Sequence, residues 1–140
     1  MQLRINMTHF VKNTMLPTHT AIVVDDDRDV NIVLAGILKL KKFDVHKVYS
    51  AQECLEKLKD LEAKVDVICV NGKIAADRAA TLILKVKRIN SDIRIFVVAE
   101  DETDKTRVLD YGADLFIAKP IGIETIADKI MILLTRKYFK

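Results

Sequence analysis

The chain has 140 residues, half of them apolar, with a net charge of +3 and two cysteines. That length and apolar content suffice for one hydrophobic core without metal or disulfide staples. So small a charge gives no footprint for nucleic acid, and the longest apolar stretch, Ile32 to Leu38, is about seven residues against the roughly 20 that span a bilayer.

Residues 1–19 show no apolar periodicity and reach Pro17 just before the first strand pattern. They are expected to form an N-terminal extension, partly disordered. The alternative is that Leu3-Arg4-Ile5 and Phe10-Val11 pack on the domain or on a partner. No basic region followed by an apolar core and a small-residue cleavage site is present, so the expectation is a cytoplasmic protein. Residues 20–140 are expected to form one domain, with no output domain after the last helix.

From residue 20 onward, five β-rich runs, near 20–25, 44–49, 65–70, 93–98 and 114–118, alternate with five helical patterns. The first run, Ala21-Ile22-Val23-Val24, is continuously apolar, as expected of a strand covered on both faces. It leads into Asp25-Asp26-Asp27, where Asp27 can cap a helix striped by Val30, Val33, Leu34, Ile37 and Leu38. Lys39, Lys41 and Lys42 then suit the negative pole of that helix. Ser50 and Glu53 form a capping box opening the second helix, whose stripe is Ala51, Cys54, Leu55 and Leu58. The third run, Val65 to Val70, ends at Asn71-Gly72, and a helix striped by Ala79, Leu82, Ile83 and Val86 follows. After Ile95-Phe96-Val97-Val98 comes the least periodic helix, near 102–111, with Gly112 as its left-handed cap. Leu115-Phe116-Ile117-Ala118 runs into Lys119-Pro120. The last helix carries Ile123, Ile126, Ala127, Ile130 and Leu134, widened by Met131, Ile132 and Leu133. Both cysteines, Cys54 and Cys69, fall on apolar faces, where buried inert thiols are common.

Such alternation predicts the α/β class: a five-stranded parallel sheet, doubly wound, flavodoxin-like, with strand order 2-1-3-4-5. Ligands in such sheets bind outside the carboxyl ends of the strands. Asp25, Asp26, Asn71, Val98 and Lys119 all sit there. Paired carboxylates are hard oxygen ligands suited to Mg²⁺, although the same aspartates also make ordinary turns and caps.

The acidic run Val23-Val24-Asp25-Asp26-Asp27, the strand from Asp66 to Val70, and Gly112-Ala113-Asp114-Leu115-Phe116-Ile117-Ala118-Lys119-Pro120 together resemble the receiver domain of two-component response regulators, over about residues 20–137. The resemblance implies a phosphoryl group accepted on an aspartate with Mg²⁺ present, and a rearranged face formed by the fourth helix, fifth strand and fifth helix. It also implies roles for particular residues. Asp25, Asp26, residue 71 and the Lys73 backbone carbonyl would be metal ligands, and Val98, Phe116 and Lys119 the switch and anion positions.

This sequence departs from that pattern at the centre. Asn71 occupies the acceptor position, and a neutral amide lacks the nucleophilicity that lets a carboxylate form an acyl phosphate. Val98 replaces the hydroxyl residue that would hydrogen-bond the phosphoryl oxygen. Phe116 has no hydroxyl to read out, and Gly72-Lys73-Ile74-Ala75-Ala76 replaces the usual Met-Pro pair. Three carboxylates against one lysine would leave a net of about −2, whereas Asp25, Asp26 and Lys119 leave about −1, a loss on the order of a few kcal/mol at an effective dielectric of about 20. Mg²⁺ is expected to bind weakly.

The leading expectation is an atypical, stand-alone receiver, not an enzyme, that works through a protein partner in a signalling pathway. Homodimerisation through the fourth helix to fifth helix face is a second use of the same surface. No nucleic acid or membrane is implied. One alternative is a receiver still responsive to Mg²⁺ or an anion held by Lys119. Another is a haloacid-dehalogenase-like phosphohydrolase with Asp25 as nucleophile and Asp27 as acid/base.

Overall fold

Val23, Val24, Ile68, Val70, Phe96 and Val98 have essentially no solvent exposure. Neighbours in sequence point to opposite faces of a strand, so both faces of the sheet that these residues build must be covered. The computed structural model shows how, describing residues 19–71, 76–100, 102–103, 105–119 and 121–137, with the backbone alone for 76–77 and 135–137. The strands are β1 (His19–Val24), β2 (Phe43–Val48), β3 (Val67–Asn71), β4 (Arg94–Ala99) and β5 (Leu115–Ala118). They form one parallel sheet in the order β2-β1-β3-β4-β5. The helices are α1 (Arg28–Leu40), α2 (Ala51–Asp60), α3 (Ala76–Ile89), α4 (Lys105–Asp110) and α5 (Ile123–Lys137).

Alternation along each strand splits the core into two layers. Ile22, Val24, Ile68, Val70, Ile95 and Val97 pack with α2, α3 and α4, while Ala21, Val23, Val67, Cys69, Phe96 and Val98 pack with α1 and α5. β2, at a sheet edge, is only partly covered, burying Phe43 and Val45 on one face and Val48 on the other while Asp44 and Lys47 are exposed. No described helix is long and apolar enough to cross a membrane.

Element boundaries shift by a residue or two for local reasons. β1 ends at Val24, not residue 25, because the Asp25 carboxylate folds back onto the Asp27 N–H at 2.9 Å, an Asx turn that leaves the strand. β3 begins at Val67 because the Asp66 carboxylate accepts the Thr20 N–H at 2.8 Å. His19, expected in the extension, pairs with Phe43 in β1; residues 1–18 lie outside the described residues, as do Gly72, Lys73 and Pro120. α4 is shorter than the pattern near 102–111 suggests, covering Lys105–Asp110 alone.

The first helical stripe needs a larger correction. The buried residues of α1 are Asn31, Leu34, Ala35 and Leu38, while Val33 is half exposed. The amide turns inward there because it can hydrogen-bond carbonyls at the ends of β1 and β2, which a β-branched hydrocarbon chain cannot. The Asn31 side-chain N–H₂ donates to Val48 O at 3.0 Å and Val23 O at 3.2 Å. In α5 the expected stripe holds; Met131 and Leu133 are partly buried against the core and Ile132 is exposed.

The caps follow the sequence closely. Asp27 Oδ1 accepts from Asp29 N–H and Val30 N–H. Ser50 Oγ accepts from Glu53 N–H, and the Glu53 carboxylate reaches back one residue beyond the cap, to Tyr49 N–H at 2.9 Å. Gly112 ends α4 at φ +119°, with Gly112 N–H donating to Leu109 O and Ala113 N–H to Val108 O, a Schellman closure. A Cβ on Gly112 would lie 3.1 Å from Lys87 Cγ. Gly112→Ala is therefore expected to lose about 1–2 kcal/mol from backbone strain alone, measurable as a lower urea midpoint with an unchanged slope.

Candidate functional site

Parallel register decides which strand ends meet. Val24 pairs with Val70, so the next residues, Asp25 and Asn71, stand side by side; Asn71 pairs in turn with Val98, and Ala99 with Ala118. The carboxyl edge of the sheet thus brings Asp25, Asn71 and Val98 together, with Lys119 one residue beyond β5.

Asp25 and Asn71 are both buried, at 2% and 4% exposure. The Asn71 side-chain N–H₂ donates to Asp25 Oδ2 at 2.7 Å, while Asp25 Oδ1 accepts from the Asp27 N–H. Both carboxylate oxygens are therefore engaged by donors within the protein. Burial raises the Asp25 carboxyl above the ordinary value of 3.8; the Asp27 N–H and the Lys119 ammonium pull it down, and Asp26 and Asp27 push it further up.

The fold therefore binds this proton more tightly than the unfolded chain. Asp25 favours folding fully below 3.8, and that contribution is lost as pH rises through its raised value. Urea midpoints of the native chain and of Asp25→Asn, measured across that window, should draw apart in that direction. A constant difference between them would contradict the assignment.

The other predicted positions divide. Val98 is fully buried, and Phe116 packs inward at 7% exposure on the opposite face, with α2, α3 and α4. Asp26 is exposed. Lys119 anchors the end of β5 through its N–H to Ala99 O at 2.7 Å, and its ammonium lies 3.5 Å from Glu100 Oε1. The predicted backbone ligand, Lys73, lies outside the described residues. Asp27, the acid/base of the phosphohydrolase alternative, uses Oδ1 to cap α1.

Two neighbours escaped sequence reasoning. Asn31 ties the ends of β1 and β2 beneath Asp25, and its place at i, i+3, i+4, i+7 with Leu34, Ala35 and Leu38 was the available signal. Glu100 pairs with Lys119, and nothing local announces that contact. The two thiols are buried, with pKa values pushed up to about 12: Cys54 by desolvation, Cys69 by desolvation and then by the Asp25 charge. Neither is poised as a thiolate nucleophile.

The family description "response regulator receiver domain" matches residues 21–131. A cyclic di-GMP phosphodiesterase of Thermotoga maritima is 30% identical over 122 residues, 86% of this chain and 32% of that protein. The response regulator ArlR of Staphylococcus aureus is 28% identical over 117 residues, 83% of this chain and 52% of that protein. The chain thus spans about half or less of the length of these curated relatives. A CheY-like receiver domain protein from Methanospirillum hungatei superposes with a TM-score of 0.76 at 21% identity, covering 88% of this chain and 97% of that one.

Proposed function

Because this chain belongs to the response regulator receiver domain family, we propose that it is a degenerate receiver: a signalling module whose conformation is set by a protein partner and not by phosphorylation at residue 71. The observation that carries the reading is the 2.7 Å hydrogen bond from the Asn71 amide to Asp25. In a phosphorylatable cleft two carboxylates would face each other there, held apart or bridged by a cation. Here a neutral donor meets one carboxylate, and the cleft is electrostatically closed on itself.

Receiver domains commonly bind Mg²⁺ at the phosphorylation site. The residues of this chain fit that ion poorly. Both Asp25 oxygens already accept hydrogen bonds, and Asn71 turns a donor, not an oxygen, toward Asp25. Among the described residues no group of three or more His, Cys, Asp or Glu side chains is arranged to hold a metal. Val98 offers methyl groups at the hydroxyl position, and the Lys119 ammonium has Glu100 as its neighbour.

The face we assign to the partner is α4–β5–α5. Leu109 and Tyr111 at the end of α4 and Ile132 on α5 are exposed at 37%, 39% and 52%. Exposed large apolar side chains favour association, and a second copy of the chain is the alternative occupant. The test of the central claim is direct. Incubation with acetyl phosphate and Mg²⁺, followed by intact-mass analysis, should leave the native chain unmodified. A stoichiometric phosphoryl adduct would sink the proposal.

A further inference from the structure

We propose that the groove between α2 and α3 is a docking site for an acidic, amphipathic segment of a partner protein. The upper part is a cleft of about 410 Å³ floored by Ala51, Leu55 and Leu82 and edged by Arg78, Thr81 and Lys85. Arg78 and Lys85 are two helical turns apart and so lie on one face of α3. Both are exposed, and among the described residues neither side chain makes an ion pair or hydrogen bond. Among the described residues no carboxylate lines this part of the groove.

The groove continues. A second cleft of about 430 Å³ shares Leu55 and runs past Leu58 to Ile89, which is 54% exposed, with Lys59 and Glu62 balancing each other in charge at its edge. From Arg78 to Ile89 helix α3 rises about 16 Å, the length of about three helical turns. An apolar floor of that length, with its basic rim over the Arg78 to Lys85 part, matches a ligand with aliphatic anchors along one side and carboxylates beside them at that end.

Charge decides the occupant. Residues 1–18 hold Arg4 and Lys12 and no aspartate or glutamate, so the chain's own N-terminal segment is mismatched to a basic rim. A second copy carries a net charge of +3 and is mismatched overall. An acidic partner is what remains. This surface lies on different helices from the α4–β5–α5 face, and the inference stands whether or not residue 71 accepts phosphate.

The experiment is an NMR titration of the full chain with a synthetic peptide of about three helical turns, leucine on one face and glutamate beside it, against the same peptide with lysine for glutamate. The glutamate peptide should shift amides of residues 50–58 and 78–89 saturably, and the lysine peptide should not. Arg78→Glu with Lys85→Glu should weaken binding about tenfold or more, and Arg78→Gln with Lys85→Gln by less, with the rest of the spectrum unchanged. Equal binding of both peptides, shifts centred on 105–137, or no saturable shift overturns the proposal. So do shifts at 50–58 and 78–89 that grow with protein concentration alone, which would make a second copy the occupant.

Discussion

Asn71→Asp should convert a chain that takes no phosphoryl group from acetyl phosphate into one that does, provided Mg²⁺ is present. The geometry explains why one atom matters so much. At 2.7 Å from Asp25 Oδ2 the native amide is a donor; an aspartate there sets two acceptors against each other in a buried position. Leaving such groups without a shared proton or cation costs on the order of 3 kcal/mol. The variant is therefore expected to be less stable than the native chain in a metal chelator and to regain that stability when Mg²⁺ is added. The native chain should respond little to the ion. Since the net charge of Asp25, Asp26, residue 71 and Lys119 moves from about −1 to about −2, Mg²⁺ should bind the variant more tightly, by an energy on the order of a few kcal/mol.

Intact mass reports the phosphoryl group, and urea unfolding with and without Mg²⁺ reports the ion. An adduct on Asn71→Asp alone identifies a cleft silenced at its nucleophile. Val98 has no hydroxyl to hold the group, so the adduct should be steadier in Asn71→Asp with Val98→Thr. If the double variant also stays unlabelled, the cleft has lost more than its nucleophile and the roles assigned to these residues fail.

Asp114→Ala should destabilise the chain by about 3 kcal/mol, far more than the loss of a surface ion pair. Asp114 lies at the opposite end of β5 and joins three elements. Its Oδ2 accepts from Lys87 Nζ of α3 at 2.8 Å and from the Ile95 N–H of β4 at 2.8 Å, while Oδ1 accepts from Arg94 Nη1 at 3.4 Å. These three side chains are only 17–22% exposed. Removing the carboxylate leaves the Lys87 ammonium with only the Ser91 and Ile93 carbonyls, Arg94 without its carboxylate and a strand N–H without its acceptor, which is why the cost exceeds that of a surface pair. Asp114→Asn keeps an acceptor for Ile95 and should cost about half as much. Glu62→Ala removes an ion pair whose side chains are about 80% exposed and should leave the urea midpoint within error. Equal midpoints for Asp114→Ala and Glu62→Ala would refute the argument.

Much of this molecule is legible in its sequence. Unbroken apolar runs such as Ile22-Val23-Val24 and Phe96-Val97-Val98 announce strands covered on both faces, and their alternation with period-3.6 stripes leads to the five-stranded parallel order found in the structure. The caps at Asp27, Ser50 and Gly112 are equally readable, because each depends on residues within a few positions. The strand-end rule gathers Asp25, Asn71 and Val98 at one edge, which the register then places side by side.

Where sequence reading stops, the partner is distant along the chain or the choice is one of rotation. Val33 in place of Asn31 is an error of rotation: periodicity marks a stripe, but the Val23 and Val48 carbonyls near the ends of two strands decide which edge of it turns inward. The Glu100 contact with Lys119, and the Lys87, Arg94 and Asp114 cluster, join residues from different elements with no local signature. The absence of a nucleophile at Asn71 belongs to the sequence itself, since no fold gives an amide the chemistry of a carboxylate. What that amide does instead, donating to a buried Asp25, was decided by the tertiary structure, because only the register of β1 against β3 sets the two side chains 2.7 Å apart.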